Sequence, residues 1–220
     1  MVLVVLKDVW KSYNGNYVLR GINLVVNEGD VVGIVGRSGS GKTTLVKLVG
    51  LLERADRGEL VVLGRDSKVL TDSEASSLRL KGLGIIPQTF NLIPHLTVLE
   101  NITLPLYLLG VRKSVRESIA LELLKRFNLQ HLASKYPHEL SSGEQQRVLV
   151  IRAFINKPKL VLADEPTAYL DVKNSELVYS MFKEFISEFK TSIIITATNP
   201  NDILINCSKY LLSNGVLTSI

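Results

Sequence analysis

A single cysteine in 220 residues, Cys207, leaves this chain without an internal disulfide or a cysteine-based zinc cluster. That scarcity fits a reducing compartment, and Cys207 itself reads as a small buried hydrophobe. Long apolar runs are missing too. A membrane-crossing helix needs about 18 or more consecutive apolar residues. The best candidate, residues 98–111, is cut by Glu100, Asn101 and Pro105. The opening MVLVVL is short and has no basic stretch ahead of it, so it reads as a strand and not as a signal peptide. These absences predict a soluble, cytoplasmic chain that inserts nothing into a bilayer. No repeat and no low-complexity tract occurs. The three histidines, His95, His131 and His138, lack metal-ligand spacing and carry no assigned chemistry, and Trp10 reads as packing.

What is present is ordinary globular composition: 46% apolar and 21% charged residues, which excludes a disordered or collagen-like chain. The length suits one generous domain or two small ones tightly joined. Twenty-six basic against 21 acidic residues give a net charge of +5. That excess suits polyphosphate ligands or an anionic membrane surface, and is too diffuse to choose between them.

Residues 2–6, 17–19 and 22–26 are short β-type runs separated by Asn-Gly and similar turns, which predicts an antiparallel β region. Residues 31–35 form a continuous apolar run ending in glycine, as a buried central strand does. A helix is expected over 43–52, and short strands over 60–63 and 84–86. Between 92 and 138 the pattern turns helical. There Val115, Ile119, Leu123 and Phe127 recur every four residues and predict a core-facing stripe. Strands at 159–163 and 193–196 flank a helix bearing Val178, Phe182, Phe185 and Phe189. Alternating strands and helices imply an α/β fold with a mostly parallel core sheet and a helical insertion.

Gly36-Arg37-Ser38-Gly39-Ser40-Gly41-Lys42-Thr43 fits the phosphate-loop pattern G-x-x-x-x-G-K-[ST], between an expected strand and an expected helix. Glycines let successive backbone N–H groups turn inward around phosphate oxygens. The helix that follows directs its partial positive charge at the same oxygens. Lys42 can reach the β- and γ-phosphates, and the Thr43 hydroxyl can ligate Mg²⁺. Such a site needs a carboxylate where a neighbouring strand exits, and Leu160-Val161-Leu162-Ala163 is followed by Asp164 and Glu165. Asp164 is the metal-side candidate, directly or through water. Glu165 is the candidate general base for an attacking water.

With these elements the chain resembles the ATP-binding-cassette (ABC) ATPases over essentially its whole length. The most specific sign is Leu140-Ser141-Ser142-Gly143-Glu144-Gln145-Gln146-Arg147, similar to the family's LSGGQ signature and placed between the phosphate loop and the acidic strand. The resemblance implies one P-loop NTPase domain over 1–220, with a core of 1–88 and 159–220 and a helical subdomain at about 89–158. It implies ATP binding by Tyr13, the run Gly36 to Thr43 and Thr44, with the Tyr13 ring on adenine. Gln88 resembles the loop glutamine that touches Mg²⁺ or water. Lys42, Glu165 and Gln88 are then the catalytic set, and Thr43, Gln88 and Asp164 the Mg²⁺ set. Two subunits would pack head to tail, so that Ser141, Gly143, Glu144 and Asp171 act in trans on the partner's nucleotide. Gly215 resembles the turn of the last hairpin.

Three departures stand out. Ser142 replaces a signature glycine, and Glu144 replaces the usual glutamine. Glu144 puts a carboxylate near a polyphosphate, so it must point away or weaken closure. The family's switch histidine falls by count at Ala197 or Thr198, and neither is histidine. This implies slow hydrolysis. The segment from Gln88 to Asn101 is similar to the lipoprotein-release, macrolide-export and cell-division members, where it borders the groove for a membrane permease. Phe90, Leu92, Ile93 and Leu96 suit such a groove, and suit ordinary core packing as well. The expected role is the ATP-hydrolysing subunit of such a complex, peripheral on the inner face of the membrane through its permease. The alternative is a nucleotide-gated dimerising module with little turnover that anchors or regulates a membrane partner. No nucleic-acid partner is expected.

Overall fold

The computed structural model describes residues 1–220. The chain opens with two long antiparallel strands, β1 (Val2–Tyr13) and β2 (Asn16–Asn27), and then enters β3 (Val31–Val35). After β3 come α1 (Lys42–Val49), β4 (Arg57–Val62), β5 (Arg65–Asp66), α2 (Asp72–Gly82) and β6 (Leu83–Ile86). A helical stretch follows: α3 (Val98–Leu108), α4 (Lys113–Arg126) and α5 (Ser142–Phe154). The chain closes with β7 (Leu160–Ala163), α6 (Val172–Phe189), β8 (Ser192–Ala197), β9 (Ser208–Ser213) and β10 (Val216–Ser219).

Two sheets result. One is antiparallel, in the order β2-β1-β4-β5. The other runs β10-β9-β3-β8-β7-β6, with every pairing parallel except that of β9 with the terminal β10. The central strands β3, β7 and β8 are continuous apolar runs because both their faces are covered. Val32, Ile34, Leu160, Leu162 and Ile194 face a core shared with the antiparallel sheet and α1. Their neighbours Val35, Val161, Ala163, Ile193 and Ile195 face the opposite core, with α5, α6 and the helical stretch. Period-two alternation thus feeds two cores from one sheet.

The α/β architecture with its antiparallel region and helical insertion is as the residue pattern predicts; several details differ. The first two strands are longer than their apolar runs. Register shifts and positive φ at Asp8 (48°) and Gly21 (65°) carry the ladder past the charged residues. Trp10 does pack: it lies edge-on to Tyr17, and its indole N–H donates to Asp8 Oδ1 at 2.7 Å. Helix α1 stops at Val49, because Gly50 caps it and Leu51 turns left-handed. The α4 stripe is only partly core. Ala120, Leu123 and Leu124 are buried, whereas Val115 is exposed. A four-residue spacing drifts about 40° per step on a 3.6-residue helix, which rotates Val115 away from Leu123.

Asn101 is fully buried in α3 and fastens the preceding loop. Its Oδ1 accepts from Ile93 N at 2.7 Å, and its Nδ2 donates to the carbonyls of Ile93, Leu96 and Thr97. Asn101→Ala removes all four bonds at once and leaves the loop's N–H and carbonyl groups without that partner. It should lower stability by about 2–4 kcal/mol, since each unsatisfied buried group costs about 1–3. A urea unfolding midpoint unchanged by the substitution would rule out this fastening role.

Candidate functional site

Four parallel strands, β3, β8, β7 and β6, end on the same edge of the sheet, the edge where open α/β sheets place their ligands. The loop 36–41 leaves β3 and enters α1. Its last residue, Gly41, has φ of 105°, which only glycine adopts without strain. Helix α1 has no side-chain cap and no acidic residue in its first turn. Its first N–H groups and the positive end of its dipole therefore remain available to an anion. Ser40 adds a buried hydroxyl that has no partner within the protein. Together these features fit a phosphate cradle.

Lys42 is buried, and its ammonium donates to the Gly36 carbonyl at 2.6 Å and the Arg37 carbonyl at 3.1 Å. It also pairs with Glu165 Oε1 at 3.1 Å. Glu165 reaches it because its own backbone is left-handed, with φ of 45°, immediately after β7. Its N–H donates to Thr196 Oγ1 at 2.9 Å, which anchors the turn. The second carboxylate oxygen accepts from Gln88 Nε2 at 3.1 Å, two residues beyond β6. Lys42, Glu165 and Gln88, the three expected catalytic residues, are thus one connected group.

Asp164 is buried at the end of β7, and its Oδ1 accepts from the Thr196 hydroxyl at 2.6 Å. No Lys or Arg is paired with this carboxylate. A buried carboxylate and the exposed Thr43 hydroxyl, both on the edge of the sheet where the phosphate loop leaves β3, are the donor chemistry that suits a hard divalent ion sharing its remaining positions with phosphate and water. The protein alone offers no cluster of three metal-ligating side chains, so such an ion would depend on the nucleotide for further ligands. Thr196 was not anticipated. It is a polar residue at the end of the apolar run Ile193–Ile195 of β8, and that interruption was its signal.

Tyr13 ends β1, exposed, with its hydroxyl bonded to Glu53 and the Lys11 ammonium 5.4 Å from its ring centre. Burial and the Glu53 bond push its phenol pKa upward, and Thr44 of α1 lies close enough to oppose them. The expected adenine platform therefore lies beside the expected phosphate site. Arg37, Ser38, Gly39 and Ser40 line a cavity of about 1100 Å³ with Arg20 and the Asn214-Gly215 turn of the last hairpin.

Ser141, Gly143, Glu144 and Asp171 lie at the starts of two helices, α5 and α6. Glu144 is turned back in a capping box. It accepts from Ser141 N at 2.8 Å and from the Ser141 hydroxyl at 2.7 Å. Burial alone would raise its pKa, but these bonds, with Arg147 nearby, hold it below the usual carboxylate range. The carboxylate is thereby turned back onto the start of its own helix. Ser142 is exposed beside it.

Other expectations fare unevenly. Leu92 and Phe90 pack against the core, and of that set only Ile93 is exposed. Cys207 is half-buried against the same core, and burial pushes its thiol pKa up. All three histidines are exposed, and no helix is long and apolar enough to cross a membrane.

Comparison with known proteins bears on the same surface. The chain is 42% identical over 194 residues to the lipoprotein-releasing system ATP-binding protein LolD of Buchnera aphidicola, covering 86% of this chain and 85% of the relative. It is 37% identical to LolD of Shewanella oneidensis, covering 98% and 96%. Among solved structures, a dimeric ATP-binding cassette in a post-hydrolysis state with ADP and Pi superposes with a TM-score of 0.92. It is 34% identical, and the match covers 99% of this chain and 98% of that one. Residues 19–168 match the family described as ABC transporter, so the chain belongs to that family and is one of its ATP-binding, ATP-hydrolysing cassettes.

Proposed function

We propose that this chain is the ATP-hydrolysing subunit of a membrane release or export complex of the lipoprotein-releasing kind. The observation that carries the reading is the connected group Lys42–Glu165–Gln88 at the mouth of an uncapped helix, with Asp164 beside it. Gly36 to Thr44 cradle the phosphates, Tyr13 receives adenine, and Lys42 faces the β/γ charge. Thr43 and Asp164, with Gln88 adjacent, would hold Mg²⁺, which when bound neutralises charge on the β- and γ-oxygens. Glu165 orients the attacking water and accepts its proton, with Gln88 steadying the carboxylate. For that role Glu165 must leave Lys42.

Residues 1–220 act as one cassette: a core of 1–88 and 159–220 and a helical subdomain at 89–158. It closes head to tail on a second cassette, of its own or a related sequence, whose Ser141, Gly143, Glu144 and Asp171 complete the site. A permease recruits it to the inner face of the membrane. Arg152 and Arg79, with Leu52, Pro105 and Asn156, line a cavity of about 240 Å³ free of acidic residues near the exposed Tyr107 and Leu108. Burial draws the Arg152 pKa down to about 10, and this cationic, apolar surface supports a partner site there.

One observation favours the second reading, a nucleotide-gated module with little turnover. Ala197 and Thr198 line a cavity of about 350 Å³ with Glu165, where the resemblance places the switch histidine. A methyl and a short hydroxyl cannot supply an imidazole's charge or reach. Losing one such donor costs about 10²–10³ in rate. Ala197→His and Thr198→His, made separately, should yield one protein with turnover raised by about that factor. If the unmodified chain already matches the faster variant, no such deficit exists.

A further inference from the structure

Gly143 lies in the first turn of α5 and is buried. Its φ is not among the positive ones, so its backbone conformation is open to any residue. A side chain there would instead meet one neighbour. A Cβ there would come within 2.5 Å of Asn174 Cγ and 3.0 Å of its Nδ2, with Oδ1 closer still. All three atoms belong to one carboxamide, which lies against the Gly143 backbone.

That carboxamide is held on both sides. Its Nδ2 donates to both carboxylate oxygens of Asp171, each at 3.0 Å, and Asp171 also caps α6 by accepting from Asn174 N at 2.7 Å. Its Oδ1 accepts from Arg147 Nη1 of α5 at 2.6 Å. The amide cannot swing aside without losing Asp171 or Arg147. The 168–171 loop and the start of α5 are therefore fixed to each other through one side chain.

We propose that Asn174 is a positioning residue that sets the N-terminus of α5 against the 168–171 loop. The amide also sets a requirement for glycine at 143 in cis, in addition to the role proposed for Gly143 in trans. The positioning role rests on the head-to-tail closure proposed above; the cis requirement does not. In isolated chains, Gly143→Ala should lower stability, because the methyl pushes the amide off Asp171 or Arg147. In a chain already carrying Asn174→Ala, the same methyl no longer meets the amide and should cost less, with alanine's better helix propensity in its favour. Contacting residues are expected to show this non-additivity.

The test is a four-protein cycle built on Glu165→Gln: that parent, Gly143→Ala, Asn174→Ala and both together. Urea unfolding, ATP affinity of the isolated chain and MgATP-dependent dimerisation are read for each. Asn174→Ala should leave single-chain ATP affinity unchanged and weaken dimerisation by about tenfold or more, within the range of one positional contact. In urea unfolding the double variant should lose less than the sum of the two single losses. If Gly143→Ala is equally damaging to stability with and without Asn174, the cis requirement is overturned. If Asn174→Ala dimerises like its parent, the positioning role is overturned. A parent that never dimerises defeats the closure itself and the positioning role with it, while the unfolding cycle still decides the cis requirement.

Discussion

Lys42→Ala should abolish measurable MgATP binding and hydrolysis. The ammonium is buried and neutralises two carbonyl dipoles and the Glu165 carboxylate at once. Without it, incoming phosphate meets Glu165 with no cation between them. Truncating one partner of a buried charge pair across a binding interface, here the ammonium opposite the phosphates, costs about 2–5 kcal/mol of affinity. At 1.4 kcal/mol per decade that is roughly a thirtyfold to several-thousandfold loss. A fluorescent-nucleotide titration measures it, with circular dichroism to verify folding. Undiminished affinity and turnover in a folded variant would show that the phosphates bind elsewhere.

Glu165→Gln should have the other large effect, with the opposite sign on binding. Hydrolysis should fall by about 10²–10⁴, the usual share of a general base. Binding should survive and tighten, because the neutral amide no longer holds Lys42 in the ion pair that phosphate must displace. The Gln88 bond tolerates the change, since Gln88 can still donate to the amide oxygen. Single-turnover hydrolysis and equilibrium titration separate the two effects. A variant that binds ATP more weakly and turns it over unchanged would remove Glu165 from the chemistry.

The parts legible from residue order were those whose chemistry is local. A phosphate loop, an apolar strand ending in Asp164-Glu165, and alternation feeding two cores all announce themselves within a few residues. Glu144 is legible in the same way, and its carboxylate turns back onto the start of its own helix, one of the two outcomes its position allows. Ser141-x-x-Glu144 is a capping box, as are Thr71-x-x-Glu74, which opens the unanticipated α2, and Thr97-x-x-Glu100. Read as a cap, Glu144 needs no explanation at a phosphate. What residue order could not give were contacts between distant segments. Thr196 bonds residues 31 and 32 positions away, Lys42 pairs across 123 positions, and Asn174 bonds Arg147 across 27. Such pairs depend on how the strand ends and helix starts are brought together, which local pattern does not encode.

The central claim is that ATP closes two cassettes around sites completed in trans, and the mass of Glu165→Gln in solution tests it most directly. Light scattering on the purified variant should give 24.4 kDa without nucleotide and twice that mass with MgATP, while MgADP leaves it at the single-chain value. The Lys42→Ala, Glu165→Gln double variant should stay at 24.4 kDa throughout. A Glu165→Gln chain that binds MgATP tightly yet keeps the single-chain mass at every concentration tested would contradict the head-to-tail account.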